Sequence, residues 1–281
     1  MSGAVLHNVT RERDMAAITI GLARDVFPGD GGWQGIDLLV FPELMDGGYA
    51  AVKRNEGRHT LDDAYVAALR DASKRGACIV GGSLMLAAGG GTHTNTSLVF
   101  AGGRVVHRYD KIHLFRPGND HEYFVGGRSL GTFPLAVRGT KLRAGVVICY
   151  DLRFPELTRA LAQEGAQLVI VPARWPAVRD LAWSTLLRAR AIENQMFVVG
   201  CNAGGEEGGR SYVFGPAGEE LLVVEQGDAR PVVPVTIDSE MIGHAHRFHD
   251  NLREAVLLRA GRIPRRLTGA AARVRRRSAG R

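Results

Sequence analysis

The sequence predicts an α/β domain, and three observations predict it. Short, uninterrupted apolar runs rich in β-branched residues recur at Leu38 to Phe41, Ala77 to Gly82, Val146 to Ile148, Leu168 to Val171 and Met196 to Gly200. Such runs read as strands buried on both faces. Segments with apolar residues at helical spacing separate many of them. No internal repeat or Pro/Ser-rich linker interrupts the alternation, so one α/β unit with buried sheets accounts for the pattern.

Taken in order, Ala4-Val5-Leu6 is a brief first strand. Arg11 to Val26 carries Met15, Ile18, Leu22 and Val26 at helical spacing and is expected to form a helix. Pro28 to Gly32 is a loop. The Leu38 strand ends in Pro42-Glu43, and Leu61 to Arg75 is an amphipathic helix. Leu84 to Ala87, Thr94 to Phe100 and Arg104 to Tyr109 read as neighbouring strands, followed by a long loop from His113 to about Arg128. A strand near Lys141 to Ile148 leads into a helix from Pro155, where proline suits the first turn. Asp180 is placed to cap a helix over Leu181 to Gln195. A hairpin around Gly215-Pro216-Ala217-Gly218 and a last strand, Pro231 to Ile237, precede a partly helical segment from Ser239.

With 281 residues, 45% of them hydrophobic, the chain has the length and apolar content of one large domain. The net charge of +7 is local in origin. Residues 262–281 hold eight arginines and no acid, and without those charges the rest of the chain stands at −1. That tail reads as solvated and disordered rather than as a nucleic-acid arm, since no stacking or groove-reading element accompanies it. No apolar run reaches membrane-spanning length and no secretory leader pattern is present. Three widely spaced cysteines, Cys78, Cys149 and Cys201, do not form a disulfide framework and fit a reducing cytoplasm. The histidines show no metal-ligand spacing, and His244-Ala245-His246 stands isolated. No metal or organic cofactor is expected.

Three strands end in a reactive residue: Phe41-Pro42-Glu43, Tyr109-Asp110-Lys111 and Ile148-Cys149-Tyr150. Side chains at the ends of neighbouring strands converge on one crevice. A cysteine thiol, largely protonated near neutrality at a free pKa of about 8.5, needs a base. A carboxylate in a dry pocket supplies one, and an ammonium beside them holds an oxyanion. Cys149 alone reads equally well as a buried structural cysteine, and Cys78 and Cys201 are expected in the core.

The blocks FPELMDGGY, YDKIHLF and ICYDLRFPEL, in this order, resemble the signatures of the nitrilase superfamily, the carbon–nitrogen hydrolases. The resemblance runs from about the first helix to Ile237. It implies a four-layer α-β-β-α sandwich of the nitrilase type over residues 1–261, commonly assembled as a homodimer or larger homo-oligomer. It also implies Glu43 as general base, Lys111 as oxyanion and charge stabiliser, Cys149 as nucleophile and the Tyr150 N–H as a second oxyanion donor. The family's further carboxylate after the lysine falls on Asp120 by register, with Glu122 two residues on. Three features depart from the pattern: the short first strand, the Met45-Asp46 pair beside the expected base, and Gly200 to Gly205, which lacks a bulky polar residue.

The resemblance places Arg174 and Trp175 beside the pocket as specificity candidates. Arg174 either clamps a substrate carboxylate in a bidentate pair or lies on the surface over an apolar ledge. Tyr49 and Phe115 are expected in the pocket wall, and Arg153 as a loop anchor. The expected activity is hydrolysis of a small linear amide, with an ω-amide of a carboxylic acid as one form, through a cysteine thioester with release of ammonia. The rivals are a nitrile or N-carbamoyl amino acid hydrolase on the same scaffold, and a catalytically weakened member acting as a binding protein.

Overall fold

The computed structural model of the chain describes residues 17–24, 34–137 and 140–255. The strand expected at Ala4-Val5-Leu6, the loop at Pro28 to Gly32 and the arginine tail lie outside them. The strands are β1 (Ala17–Ala23), β2 (Leu38–Val40), β3 (Arg58–His59), β4 (Cys78–Val80), β5 (Leu84–Gly89), β6 (Thr92–Ala101), β7 (Arg104–Asp110), β8 (Thr132–Val137), β9 (Thr140–Val146), β10 (Leu168–Ala173), β11 (Phe197–Asn202), β12 (Ser211–Phe214), β13 (Glu220–Val224) and β14 (Val232–Asp238). The helices are α1 (Gly48–Lys53), α2 (Ala64–Ala72), α3 (Asp120–Tyr123), α4 (Pro155–Gln163), α5 (Asp180–Asn194), α6 (Glu240–Phe248) and α7 (Asn251–Glu254).

Two sheets result. One has the order β14-β1-β2-β4-β6-β5-β3, with β7 pairing on β6; the other runs β13-β12-β11-β10-β9-β8. In each, three central strands are parallel, β1-β2-β4 and β9-β10-β11, and antiparallel strands flank them. Residues on alternate positions sort the layers. Leu38, Val40, Cys78 and Val80 join Val146, Leu168 and Ile170 in one core between the sheets, whereas Leu39, Phe41 and Ile79 pack on the other face with Val66 and Leu69 of α2. Leu157 and Leu161 of α4 and Trp183 and Leu187 of α5 cover the second sheet. The layering is α-β-β-α, as the resemblance implied.

Two expectations about the elements are overturned. Part of the segment predicted to be the helix from Arg11 to Val26 is β1, a strand in register with β14 and β2. Ile18, Ile20 and Leu22 all enter the core between the sheets. The i, i+4 pair Ile18 and Leu22 satisfies a two-residue repeat as well as a helical one, and Ile20 between them decides for the strand. Asp180 is also not the cap of α5 but its first residue, and its carboxylate accepts the Tyr212 hydroxyl at 2.8 Å.

The α5 layer sits tightly on its sheet. A Cβ at Gly200 of β11 would run into Leu187 and would approach Trp183 to 2.7 Å. Gly200→Ala is therefore expected to destabilise the fold by about 1–3 kcal/mol through overpacking, measured as a lower urea midpoint at unchanged slope.

Candidate active site

The reactive residues meet where strands run out at their C-terminal ends, the usual site for a ligand crevice in sheets of this kind. β2 passes through Phe41 and Pro42 to Glu43. Pro42 O accepts the Ser83 N–H at 3.2 Å. Gly82, at φ +49°, permits this approach, because a Cβ there would collide with the Pro42 carbonyl. Leu44, next after Glu43, has φ +47°, a left-handed conformation that costs a non-glycine residue about 1–3 kcal/mol unless its surroundings hold it. Its N–H donates to Ser83 Oγ at 3.0 Å and its carbonyl accepts from Arg174 Nη2 at 3.0 Å.

Lys111 follows β7, and its N–H is tied to Asn95 O of β6 at 2.9 Å. Its ammonium is fully buried and donates to Glu43 Oε1 and to Asp120 Oδ2, each at 2.8 Å. Glu43 Oε1 also accepts from Asn95 Nδ2 at 2.8 Å and the Tyr49 hydroxyl at 3.3 Å, and Oε2 accepts the Arg174 N–H at 3.1 Å. Asp120 is fully buried and its Oδ2 also accepts the Phe115 N–H at 3.0 Å, whereas Glu122 is exposed. The structure thus brings Asp120, and not Glu122, to the lysine.

Cys149 opens a single 3-10 turn, Cys149–Arg153, at φ +47°. This strained strand-to-helix corner faces the thiol towards the crevice. Its Sγ lies 3.9 Å from Arg174 O. Burial, then the neighbouring Glu43 carboxylate, push the thiol well above its ordinary value, with Lys111 opposing. Burial pulls the Lys111 ammonium down, but Glu43, then Tyr49, Cys149 and Asp120, outweigh it and hold the group protonated. Asp151, fully buried, joins the two halves: Oδ2 accepts the Tyr109 hydroxyl at 2.7 Å and the Ile148 N–H at 3.1 Å, and Oδ1 accepts the His113 N–H at 2.8 Å. From behind, Arg190 of α5 donates to Leu152 O at 2.9 Å.

Cys149 opens on a cavity of about 240 Å³, with Tyr49, Phe115, Tyr150 and Trp175 in its walls. Arg174 lines it too, but its guanidinium turns back into the protein: Nε donates to Glu43 O at 2.8 Å, Nη2 to Leu44 O, and Nη1 meets Glu207 Oε2 at 3.3 Å. Lys53, Arg153 and Arg179 stand around the cavity. Arg153, expected to anchor a loop by ion pairing, instead lies over the Trp175 ring at 4.8 Å. Among the described residues no group of three His, Cys, Asp or Glu is arranged to hold a metal ion, and no helix is long and apolar enough to cross a membrane.

The family model for carbon-nitrogen hydrolases matches residues 30–247. The chain belongs to the carbon–nitrogen hydrolase family. An omega-amidase of Yersinia enterocolitica is 35% identical to this hydrolase over 207 residues, 73% of this chain and 77% of that protein. A 2-oxoglutaramate amidase of Bacillus subtilis is 34% identical over 212 residues, 72% and 78% of the two chains. Among solved structures, a mutant of the nitrilase-superfamily amidase of Nesterenkonia sp. AN1 aligns with a TM-score of 0.67 at 26% identity, covering 88% of this chain and 98% of that one; it shows the acetamide moiety of fluoroacetamide added covalently at the active-site cysteine.

Several residues around the hydrolase site went unrecognised in the sequence. Asn95 reaches Glu43 from the middle of β6, where no local signal marks it. Asn202 was passed over in a segment noted only for lacking bulk, yet its side chain accepts the Trp175 N–H at 2.8 Å and donates to Trp175 O at 2.9 Å. Asp151 carried a signal, an acid at the third position of a helical turn. The Met45-Asp46 pair does not reshape the pocket: Met45 packs in the core beside α2, and Asp46 turns to His59.

His59 lies between two carboxylates, Nε2 at 2.7 Å from Asp46 Oδ2 and Nδ1 at 2.7 Å from Asp63 Oδ2, so the loop after Glu43 is tied to the N-cap of α2. Burial lowers the imidazole pKa, but the bonds to Asp46 and Asp63 outweigh it and hold the group above its ordinary 6.5. Folding raises this pKa, so the stabilisation is complete below about 6.5 and is lost as pH rises through the folded-state value. The gap in urea midpoint between the wild type and His59→Gln is expected to be widest below pH 6.5 and to narrow above it.

Proposed function

We propose that this hydrolase is an amidase for small linear amides that carry a carboxylate at the far end, working through a Cys149 thioester. The observation that supports it most is the meeting of a buried carboxylate, a buried ammonium and a strained cysteine at one cavity. The omega-amidase and 2-oxoglutaramate amidase relatives support the substrate class.

Glu43 takes the Cys149 proton as sulfur attacks the amide carbonyl. A thiol held this far up carries almost no thiolate at rest, so proton removal accompanies attack. The carbonyl oxygen becomes an oxyanion between the Lys111 ammonium and the Tyr150 N–H. As the intermediate collapses the C–N bond breaks, and Glu43 returns its proton to nitrogen, which departs as ammonia. Water then attacks the thioester, giving a proton to Glu43; the C–S bond breaks and the thiol recovers that proton. Asp120 holds Lys111 through a second bond beside that to Glu43. Lys53, Arg153 and Arg179 place positive charge where a substrate carboxylate would end, with Tyr49, Phe115 and Trp175 along its chain.

The same reading takes the hydrolase domain to end near residue 261, with the arginine tail outside it. It expects a homodimer or larger homo-oligomer in a reducing compartment, since the nucleophile must remain a free thiol; Cys149 is buried and in no disulfide.

Cys149→Ala is expected to abolish ammonia release from ω-amides of dicarboxylic acids, and retained activity would end the proposal. Glu43→Gln should lower kcat by about 10²–10⁴, and Lys111→Met by about 10²–10³. Asp120→Asn is expected to reduce kcat while Glu122→Gln leaves it unchanged, both read by ammonia release. A panel of amides, nitriles and N-carbamoyl amino acids separates the amidase from its rivals on this scaffold.

A further inference from the structure

The side chain at position 174 does something other than hold substrate. Its guanidinium bonds two consecutive carbonyls, Glu43 O at 2.8 Å and Leu44 O at 3.0 Å, and faces Glu207 Oε2 at 3.3 Å. Glu207 in turn accepts the Tyr49 N–H at 3.2 Å, and the Tyr49 hydroxyl donates to Glu43 Oε1 at 3.3 Å. The backbone of the same residue meets both reacting groups: Arg174 N donates to Glu43 Oε2 at 3.1 Å, and Arg174 O lies 3.9 Å from Cys149 Sγ.

Leu44 gives this geometry its meaning. It is held at φ +47°, between Glu43, which reaches Lys111, and Met45, which enters the core. Its amide is pinned by Ser83, and its carbonyl accepts both Arg174 Nη2 and the Gly48 N–H at 2.9 Å. Without the guanidinium, Leu44 O keeps only the Gly48 N–H and Glu43 O loses the Arg174 Nε–H, so the left-handed turn that aims the Glu43 carboxylate is held by fewer bonds.

We infer that Arg174 is a positioning residue, whose planar fork clamps the Glu43–Leu44 backbone and so fixes the direction of the base. A lysine is not equivalent, because an ammonium does not span two carbonyls and a carboxylate in one plane. What Glu43 does once positioned rests on the amidase reading above; the clamp itself does not.

The test compares Arg174→Lys and Arg174→Gln with the wild type. In ammonia-release kinetics on an anionic and a neutral amide, both variants are expected to lose about 10–100-fold in kcat, the scale of a misplacement near 1 Å, with KM within about twofold for both substrates. Full kcat in Arg174→Lys would mean that charge alone suffices and would overturn the clamp. A raised KM confined to the anionic amide, at wild-type kcat, would make Arg174 a substrate ligand and would overturn it too. A crystal structure of Arg174→Gln reads the positioning whether or not the enzyme is an amidase. Leu44 is expected to leave the left-handed region and Glu43 to move off Lys111; both unmoved, the inference fails.

Discussion

The site depends on one buried ammonium held between two carboxylates. Taking Lys111, Glu43 and Asp120 out of water costs several kcal/mol for each ion. Only close, multiply hydrogen-bonded contacts offset that cost, and both Lys111 contacts are 2.8 Å with the three side chains fully buried or nearly so. Removing Lys111 would leave two carboxylates facing each other in the interior with no cation between them. The formal balance also constrains the nucleophile. Two carboxylates and one ammonium sum to one negative charge, so a resting thiolate beside them would add a second. The thiol stays protonated until a substrate carbonyl is there to receive the electron pair.

Holding these charges in place requires rigid supports from both sheets. Glu43 belongs to the end of β2, Lys111 to β7 and Cys149 to the turn after β9, and each is anchored by a buried polar group of another element. Asn95 reaches from β6 to Glu43, Asp151 ties Tyr109 and His113 to the nucleophile's turn, and Arg190 supports that turn from α5. Two left-handed residues, Leu44 and Cys149, lie where the chain leaves the sheets. Strain of this kind persists only where several bonds over-determine the backbone, and both positions have such bonds.

Much of this was legible from the residues. Strands with two buried faces are uniformly apolar, so β2, β4, β10 and β11 stood out, and Glu43 and Cys149 stood out as the first reactive residues after apolar runs. Asp120 was reachable by counting along the loop, although only the fold separates it from Glu122. β1 was not legible, because Ile18 and Leu22 fit both periods and its pairing with β14 spans more than two hundred residues. Asn95 and Asn202 are polar residues within strands, and their meaning depends on which neighbour the register places opposite them. Arg174 was legible as a residue of the pocket but not in its direction, since a long side chain at a loop position turns either outwards or back.

The field across the cavity follows from the same arrangement. The buried Glu43, Asp120 and Lys111 group, net negative, lies behind its Tyr49 wall, whereas Lys53, Arg153 and Arg179 stand around the cavity. Glu207, the acid lining the same space, is matched by Arg174. For the proposed amide with an anionic tail, this field favours entry carbonyl first, the neutral end towards that group and the carboxylate with the cations. A tail of opposite sign meets repulsion from those cations. The polarity that orients such a substrate also keeps its carboxylate away from Glu43, so the base is not charged further by the molecule it acts on.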